Sequence, residues 1–396
     1  VQEAAQHNPD LAAASASVDV ARFQHRGSYS NFYPQLSLDS SYTRTRQTAL
    51  SSDSSRRSDL ALTLTQNLFS GFRDTGQVEQ TLANFDATNA GRLAVKAQVS
   101  FDLKAAFARL LYAQEQLQLA ETIAARRKEN MEMVELRFEA GREHKGSFLR
   151  SQATYQQAAF EVEQARRALR VAQQELGRVL GRRTTDGLQV SGSFGVTLPS
   201  TPPDFATLAK RTPTHLVPEA QARAARAAVT VARASFFPEL SANGSVGQER
   251  SNAPAGTDAS DWSTGLTLTF PLFSGGQDYY DVQSARAGYR LAQETLRSAD
   301  DQSVFELTQA FAALQDAAGQ AAVRRGFLRA SETRAEITRN LYTTGLLSFD
   351  DWDVIENDLI TSRKQMLVSE RDQLIAEAAW ELAQGAGALP GEGVLQ

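Results

Sequence analysis

The chain contains no cysteine. That excludes disulfides, zinc ribbons, iron–sulfur centres, a thiol nucleophile and lipidation on cysteine within the chain. No run of 18 apolar residues occurs, so there is no candidate transmembrane helix. Soluble domains and membrane β-barrels both remain open, because barrel strands carry a much weaker signal. Positive charge is not in excess: 41 Lys and Arg against 46 Asp and Glu leave a net charge of -5, unlike the basic domains that bind nucleic acid. The four histidines, His7, His25, His144 and His215, sit in separate elements without metal-ligand spacing. No nucleophile elbow is present, and no Gly-rich phosphate loop follows a strand. The pair Gly275-Gly276 reads as a turn before a helix. An enzyme is disfavoured and no cofactor is expected. The chain begins at Val1, which suggests a removed signal peptide or a trimmed chain.

What is present is a folded composition, with 42% hydrophobic and 22% charged residues over 396 positions, and a duplication. Asn8-Pro9 recurs as Thr212-Pro213, and Phe32-Tyr33-Pro34-Gln35-Leu36-Ser37 as Phe236-Phe237-Pro238-Glu239-Leu240-Ser241. Leu68-Phe69-Ser70-Gly71 recurs as Leu272-Phe273-Ser274-Gly275. Leu103, Phe107 and Leu110 recur as Leu307, Phe311 and Leu314, and Gly141 as Gly345. Every offset is 204, so the halves keep the same element and loop lengths, a tandem duplication and not a short-period solenoid.

Each half reads in one order. A helical run (Leu11–His25, Glu219–Ala234) ends at Pro34 or Pro238. Two strands follow with period-2 alternation: Leu36, Leu38 and Tyr42, then Leu60, Leu62, Leu64 and Leu68. In the second half they are Leu240, Ala242, Gly244 and Val246, then Trp262, Thr264, Leu266, Leu268 and Phe270. The opposite face carries small polar residues such as Ser37, Thr63, Asn243, Ser245 and Thr267. Thr48–Arg57 and Ser251–Ser260 read as exposed hairpin loops. Ser70 and Ser274 are placed to cap long helices. No proline interrupts 76–140 or 277–344, and 65 helical residues span roughly 100 Å. Apolar positions there step by three and four, interrupted at Gln114, in a loose coiled-coil seam rich in alanine. Gly141 and Gly345 end these helices, and second helices return over about Phe148–Leu180 and Asp350–Ala383.

The domain boundaries expected are helices over 1–33 and 213–237, β-hairpins over 34–70 and 238–274, and long helical hairpins over 71–180 and 275–384. A connector over 181–212 holds a short strand, Leu188–Val190, and a short helix, Phe205–Lys210. A Gly-rich tail, 385–396, is expected to fray. Four such strands fit either a soluble β-sandwich or part of a membrane barrel. A barrel must close, because open edges are not satisfied in lipid. Bacterial barrels start at eight strands, so closure requires an oligomer, eight strands from two chains or twelve from three. The polar face then lines a lumen, and Tyr42 and Trp262 suit the interfacial aromatic belt.

These residues together resemble the TolC-type outer-membrane efflux protein family, the outer-membrane factor of tripartite pumps. The carriers are Asn8-Pro9, the two strand entries at Pro34 and Pro238, Pro271-Leu272-Phe273-Ser274-Gly275-Gly276 after the fourth strand, and the tips Arg137-Phe138-Glu139-Ala140-Gly141 and Leu341-Tyr342-Thr343-Thr344-Gly345. The resemblance covers nearly the whole chain. It implies an α+β membrane protein: a homotrimer whose tandem-duplicated protomers each give four strands to a 12-stranded outer-membrane β-barrel, joined to a long periplasmic α-helical barrel belted by the connector. The function it implies is a passive exit channel for small molecules, working with a periplasmic adaptor and an inner-membrane pump. Type I protein secretion uses the same kind of duct. A periplasm-spanning scaffold without conduction is the reading from another class, against which small lumen-facing residues count.

In the second tip, Asp350, Asp351, Asp353, Glu356 and Asp358 place five carboxylates within nine residues. Rings of carboxylates select cations, and the resemblance puts an aspartate-lined aperture here, with Asp351 matching one position and Val354 standing where another aspartate is expected. Asp350, Asp351 and Asp353 are the candidate gate. The plainer reading is that first-turn acids favour the helix dipole and face water. The first tip is basic, and Arg142, Lys145 and Arg150 are candidates for salt bridges that hold the end shut. The resemblance makes Gly141, Gly345, Leu346 and Ser348 candidate adaptor contacts, although Glu-Ala-Gly and Thr-Thr-Gly replace the family's usual valine-glycine. Trp352 is expected to pack between helices.

Overall fold

The computed structural model describes residues 1–46, 54–185, 187–195, 202–251, 258–387 and 389. Helices α1 (Gln2–His7) and α2 (Pro9–Ser28) precede strands β1 (Gln35–Arg46) and β2 (Ser54–Ser70), then the long helix α3 (Arg73–Glu139) and the return helix α4 (Lys145–Leu180). After the short helix α5 (Phe205–Ala209), the order repeats as α6 (Pro213–Arg233), β3 (Glu239–Ser251), β4 (Ala259–Thr269), α7 (Gln277–Thr343) and α8 (Phe349–Ala383). Helices α3 and α7 have 67 residues each, and the offset of 204 holds at both of their ends.

Local chemistry sets these bounds. Pro9 and Pro213 occupy first helical positions, where a missing N–H costs nothing. Asn8 Oδ1 accepts from the Asp10 and Leu11 amides at 2.9 and 3.1 Å, which is why the first helical run begins earlier than its apolar periodicity suggests. Helix α3 starts three residues before Gly76, because Gly71 and Phe72 take positive φ (64° and 70°) and turn the chain at once. Ser70 Oγ accepts from the Asp74 amide at 3.3 Å and donates to its carboxylate at 2.5 Å. Ser274 and Asp278 repeat the side-chain bond.

The sheet runs β1-β2-β3-β4, antiparallel throughout. Its register aligns Leu38, Leu62, Val246 and Trp262 in one row across all four strands, and Ser37, Thr63, Ser245 and Ser263 in the next. Period-2 alternation therefore gives one apolar and one polar face. The polar face is cross-linked by Ser245–Ser263 (2.8 Å), Asn243–Thr267 (3.1 Å) and Ser41–Asp59 (2.9 Å). Strands β2, β3 and β4 extend into the segments expected to be loops; 47–53 and 252–257 lie outside the described residues.

Contacts group the chain into two units, one of Val1–Ala14, Arg92–Thr214 and Asp300–Gln396, the other of Ser15–Gly91 and His215–Ala299. The sheet belongs to the second. In the first, the duplication appears as two cores. Leu103 and Leu110 of α3 pack with Leu176 and Val179 of α4. Their counterparts Leu307 and Leu314 of α7 pack with Phe311 and with Trp380 of α8. The connector covers both: Leu188 and Val190 lie on the first core, and Phe205 and Ala209 on the second.

Two expectations are corrected here. Leu188–Val190 is not a strand. Its backbone is held by helix side chains: Gln114 bonds the Val190 N–H and C=O at 2.9 and 2.8 Å, and Gln173 donates to the Leu188 carbonyl at 3.0 Å. Gln114 thus interrupts the apolar seam in order to pair half-buried backbone. The start of the tail is packed and not frayed. A Cβ on Gly385 would lie 2.3 Å from Pro213 and one on Gly387 2.4 Å from Ser100, and Leu389 joins the first core. Residues 388 and 390–396 lie outside the described part.

Candidate functional site

The two helix tips both belong to the first unit. Each long helix ends in a Schellman turn. The Gly141 amide bonds the Phe138 carbonyl (2.9 Å) and the Arg142 amide the Arg137 carbonyl (2.8 Å); Gly345 and Leu346 repeat this at 3.0 and 2.9 Å. Gly141 and Gly345 hold φ of 68° and 80°, a region that costs other residues about 1–2 kcal/mol. Nothing lies within 4 Å of a Cβ built on Gly345, so Gly345→Ala should act through the backbone alone. It should speed hydrogen exchange at the α7–α8 turn several-fold, and Gly345→Asn should recover part of the loss because asparagine tolerates this conformation. Exchange unchanged by the alanine would sink that account.

Between the tips lies a polar network. Arg126 forks onto Glu356, with Nε–Oε2 at 2.8 Å and Nη2–Oε1 at 2.6 Å. Arg127 reaches Asp353 (3.3 Å) and donates to Asn357 Oδ1 (2.5 Å). Arg150 of α4 bonds the other Asp353 oxygen at 2.9 Å. Asp353 and Glu356 are 3% and 1% exposed. The Glu356 hydrogen bond, then its charge, holds the Arg126 guanidinium above its ordinary pKa. Buried carboxylates are tolerated because each is bonded by an arginine.

Next to it is an aromatic cluster. Trp352, 2% exposed, stacks on Tyr342 at 4.4 Å with Phe349 edge-on at 6.0 Å. Arg137 lies 4.6 Å over the Tyr342 ring and donates to its carbonyl at 2.9 Å. The Tyr342 hydroxyl donates to Glu143 at 3.2 Å. Burial first, and the Glu143 charge second, push the Tyr342 phenol well above its usual range.

The candidate residues separate accordingly. Asp350 and Asp351 are exposed in the first turn of α8, and Asp351 is tied to Ser348, whose Oγ accepts its amide (3.2 Å) and donates to its carboxylate (2.6 Å). Asp353 differs from them: the helical twist turns it inward, and Arg127 and Arg150 both bond its carboxylate. Ser348 is the cap of α8. Leu346 is 76% exposed. Of the three basic candidates Arg150 bridges the hairpins, whereas Arg142 and Lys145 form no ion pair among the described residues. Tyr42 and Trp262 are exposed on the apolar sheet face. Trp352 packs, as expected.

Sequence reasoning passed over Arg126, Arg127 and Asn357, and did not single out Glu356. A signal existed. At the offset of 204, Arg126 and Arg127 correspond to Ala330 and Ser331, and Asp353 and Glu356 to Leu149 and Gln152. The halves part company where charge has been added.

The family model described as "Outer membrane efflux protein" matches residues 1–182 and 207–386. The cation efflux system protein CusC of Escherichia coli is 23% identical over 98% of this chain and 85% of its own length. The outer membrane protein OprJ of Pseudomonas aeruginosa is 27% identical over 87% of this chain and 74% of its own. The fold is that of solved outer-membrane channels: a crystal structure of CusC superimposes with a TM-score of 0.87 at 21% identity, covering 98% of this chain and 91% of the other.

Proposed function

The chain belongs to the outer membrane efflux protein family, and on that premise we propose that it is a passive, trimeric exit channel for small solutes, closed at its helix tips until a partner docks. It is an outer-membrane protein that extends into the periplasm. The observation that carries the proposal is the inter-hairpin network. Beside the apolar cluster that packs Val134 and Phe148 against Tyr342 and Trp352, the second hairpin is joined to the first by arginine–carboxylate and hydrogen-bond links near the ends of the helices, the kind of contact that a competing surface can replace. The sheet supports it. One face is apolar along four strands, the other is a ladder of small hydroxyls, and neither edge is paired among the described residues. In lipid such edges are closed by further copies.

A periplasmic adaptor would meet the exposed turns at Gly141, Gly345 and Leu346, and an inner-membrane pump would supply the energy. The relatives named for efflux favour solute export over protein secretion. Asp350 and Asp351, exposed and ahead of the network, are the carboxylates placed to meet cations. In planar bilayers the purified oligomer should pass small cation-selective currents that added divalent cations reduce. Asp350→Asn with Asp351→Asn should shift the reversal potential toward zero in a salt gradient and relieve the block. An unchanged reversal potential would place both outside the pore. An inserted oligomer silent in the wild type, and also in a variant lacking the tip arginines, would favour a scaffold.

A further inference from the structure

The apolar face of the sheet ends in arginine. Along β1 that face runs Leu36, Leu38, Ser40, Tyr42 and then Arg44. Tyr42 lies in a row with Ser58 of β2 and Arg250 of β3, and one row further out Arg44 stands directly opposite Arg56. Three exposed arginines on three neighbouring strands thus share the apolar face at the hairpin end of the sheet. The helices join at the other end, through Gln35, Ser70 and Glu239, so the arginines lie on the side away from the periplasm.

We infer that Arg44, Arg56 and Arg250 bind the phosphate groups of a phosphorylated glycolipid in the outer leaflet. This rests on the reading of the sheet as part of an outer-membrane barrel, and adds a lipid partner on the outside of that barrel. The leaflet on that side of an outer membrane is made of such glycolipid. Its headgroup carries more than one phosphate, a match for three guanidiniums.

Depth is the first support. Leu240 and Arg250 share one face of β3, ten residues apart. At 3.4 Å per residue and a strand tilt of about 40°, they are separated by roughly 26 Å across the membrane. The apolar band of such barrels is about 25 Å tall, with aromatic residues at its rims. Tyr42 and Trp262, 65% and 76% exposed, therefore mark the outer rim. The arginines fall at or just beyond it, at headgroup level, where a charge on the lipid face costs little.

Charge is the second. The chain as a whole is acidic, with a net charge of -5. On the opposite face of the sheet, Arg57 is held by Asp59 at 2.8 Å and Glu249 at 2.9 Å. The outward face lacks that balance. Asp258 lies 3.3 Å from Arg250, but both side chains are exposed, and exposed pairs are easily exchanged for a better partner. Arg44 forms no ion pair among the described residues. Like charges directly opposite each other are destabilising, so an anion lying over Arg44 and Arg56 relieves a cost built into the register. Arg56 and Arg250 are diagonal neighbours, about 7–8 Å apart at Cα, which lets both forks reach one phosphate.

The duplication supplies a contrast. At the offset of 204, Arg44 and Arg56 correspond to Gln248 and Ser260. The second hairpin forms with neutral residues there, so arginine at these two positions is not a requirement of the hairpin.

The test titrates the purified full chain in detergent with lipid A and reads bound lipid by native mass spectrometry. The same spectrum shows whether the oligomer is intact. The wild type should retain lipid A and lose most of that binding when the lipid is dephosphorylated. Each arginine near an anionic lipid surface contributes about a factor of five, so Arg44→Gln with Arg56→Gln should bind about 30-fold more weakly. Arg44→Lys with Arg56→Lys keeps the charge without the forks and should fall between. Lys128→Gln with Arg297→Gln removes the same charge from exposed sites elsewhere and should bind as the wild type does. Undiminished binding by the Arg44 and Arg56 glutamine variant would leave these side chains to water and overturn the inference. So would equal loss in the Lys128 and Arg297 control, which would reduce the effect to net charge. Phosphatidylglycerol held as firmly as lipid A, or lipid A displaced by an equal concentration of inorganic phosphate, would overturn the glycolipid assignment. All of these outcomes leave the barrel standing. A wild type that inserts into no vesicle of phosphatidylcholine and lipid A would remove the barrel reading, and the inference with it.

Discussion

Arg126→Leu should open the helix tips. Glu356 would keep its charge in a site where it is 1% exposed and lose both of its guanidinium bonds. Breaking a buried pair by removing one partner costs about 3–5 kcal/mol. Arg126 is itself 24% exposed, so we take the low end, about 3 kcal/mol, which multiplies an opening equilibrium by roughly 100. Single-channel recordings should show larger and longer openings. Arg126→Lys, which keeps the charge but not the fork, should fall between the two. If Arg126→Leu lowers the thermal midpoint but leaves conductance at the wild-type level, the pair stabilises the hairpins without gating them.

The second large effect is expected at Trp352. Truncation to alanine removes the ring stacked on Tyr342 and the edge contact with Phe349. Such a loss costs about 3–5 kcal/mol and removes the platform beside which Arg137 is held over Tyr342. The damage should be local. Hydrogen exchange should rise by orders of magnitude near residues 133–150 and 342–357 and stay unchanged in the sheet, which belongs to the other unit. Trp352→Phe should retain most of the protection. Uniform loss over both units would mean that the cluster is part of the global core.

Much of the fold was legible because it is written in short-range chemistry. Alternation of Leu36, Leu38 and Leu60–Leu64 with serine and threonine identifies strands with one wet face. Proline at 9 and 213, serine at 70 and glycine at 141 and 345 mark where helices begin and end, since each residue type suits one backbone conformation. A constant offset then shows that the pattern occurs twice. The site was less legible. Acidity at the second tip was visible, but Asp350, Asp351 and Asp353 looked alike. They differ by helical phase against a neighbour: the first two point to water, while Asp353 faces Arg127 and Arg150 from another hairpin. Gln114 read as a flaw in an apolar seam until the connector backbone was seen to lie across it.

By itself, then, the sequence determined the elements, their order, their duplication, the two faces of the sheet and the family, because periodicity, turn residues and spacing are local properties of the chain. The tertiary structure decided which carboxylates are consumed by arginines, which polar side chain serves a distant backbone, and that Gly385 and Gly387 are points of close approach in a packed tail. Those depend on which groups far apart in the chain, 76 positions for Gln114 and Val190 and 230 for Arg126 and Glu356, are brought within 3 Å, and no local pattern records that distance.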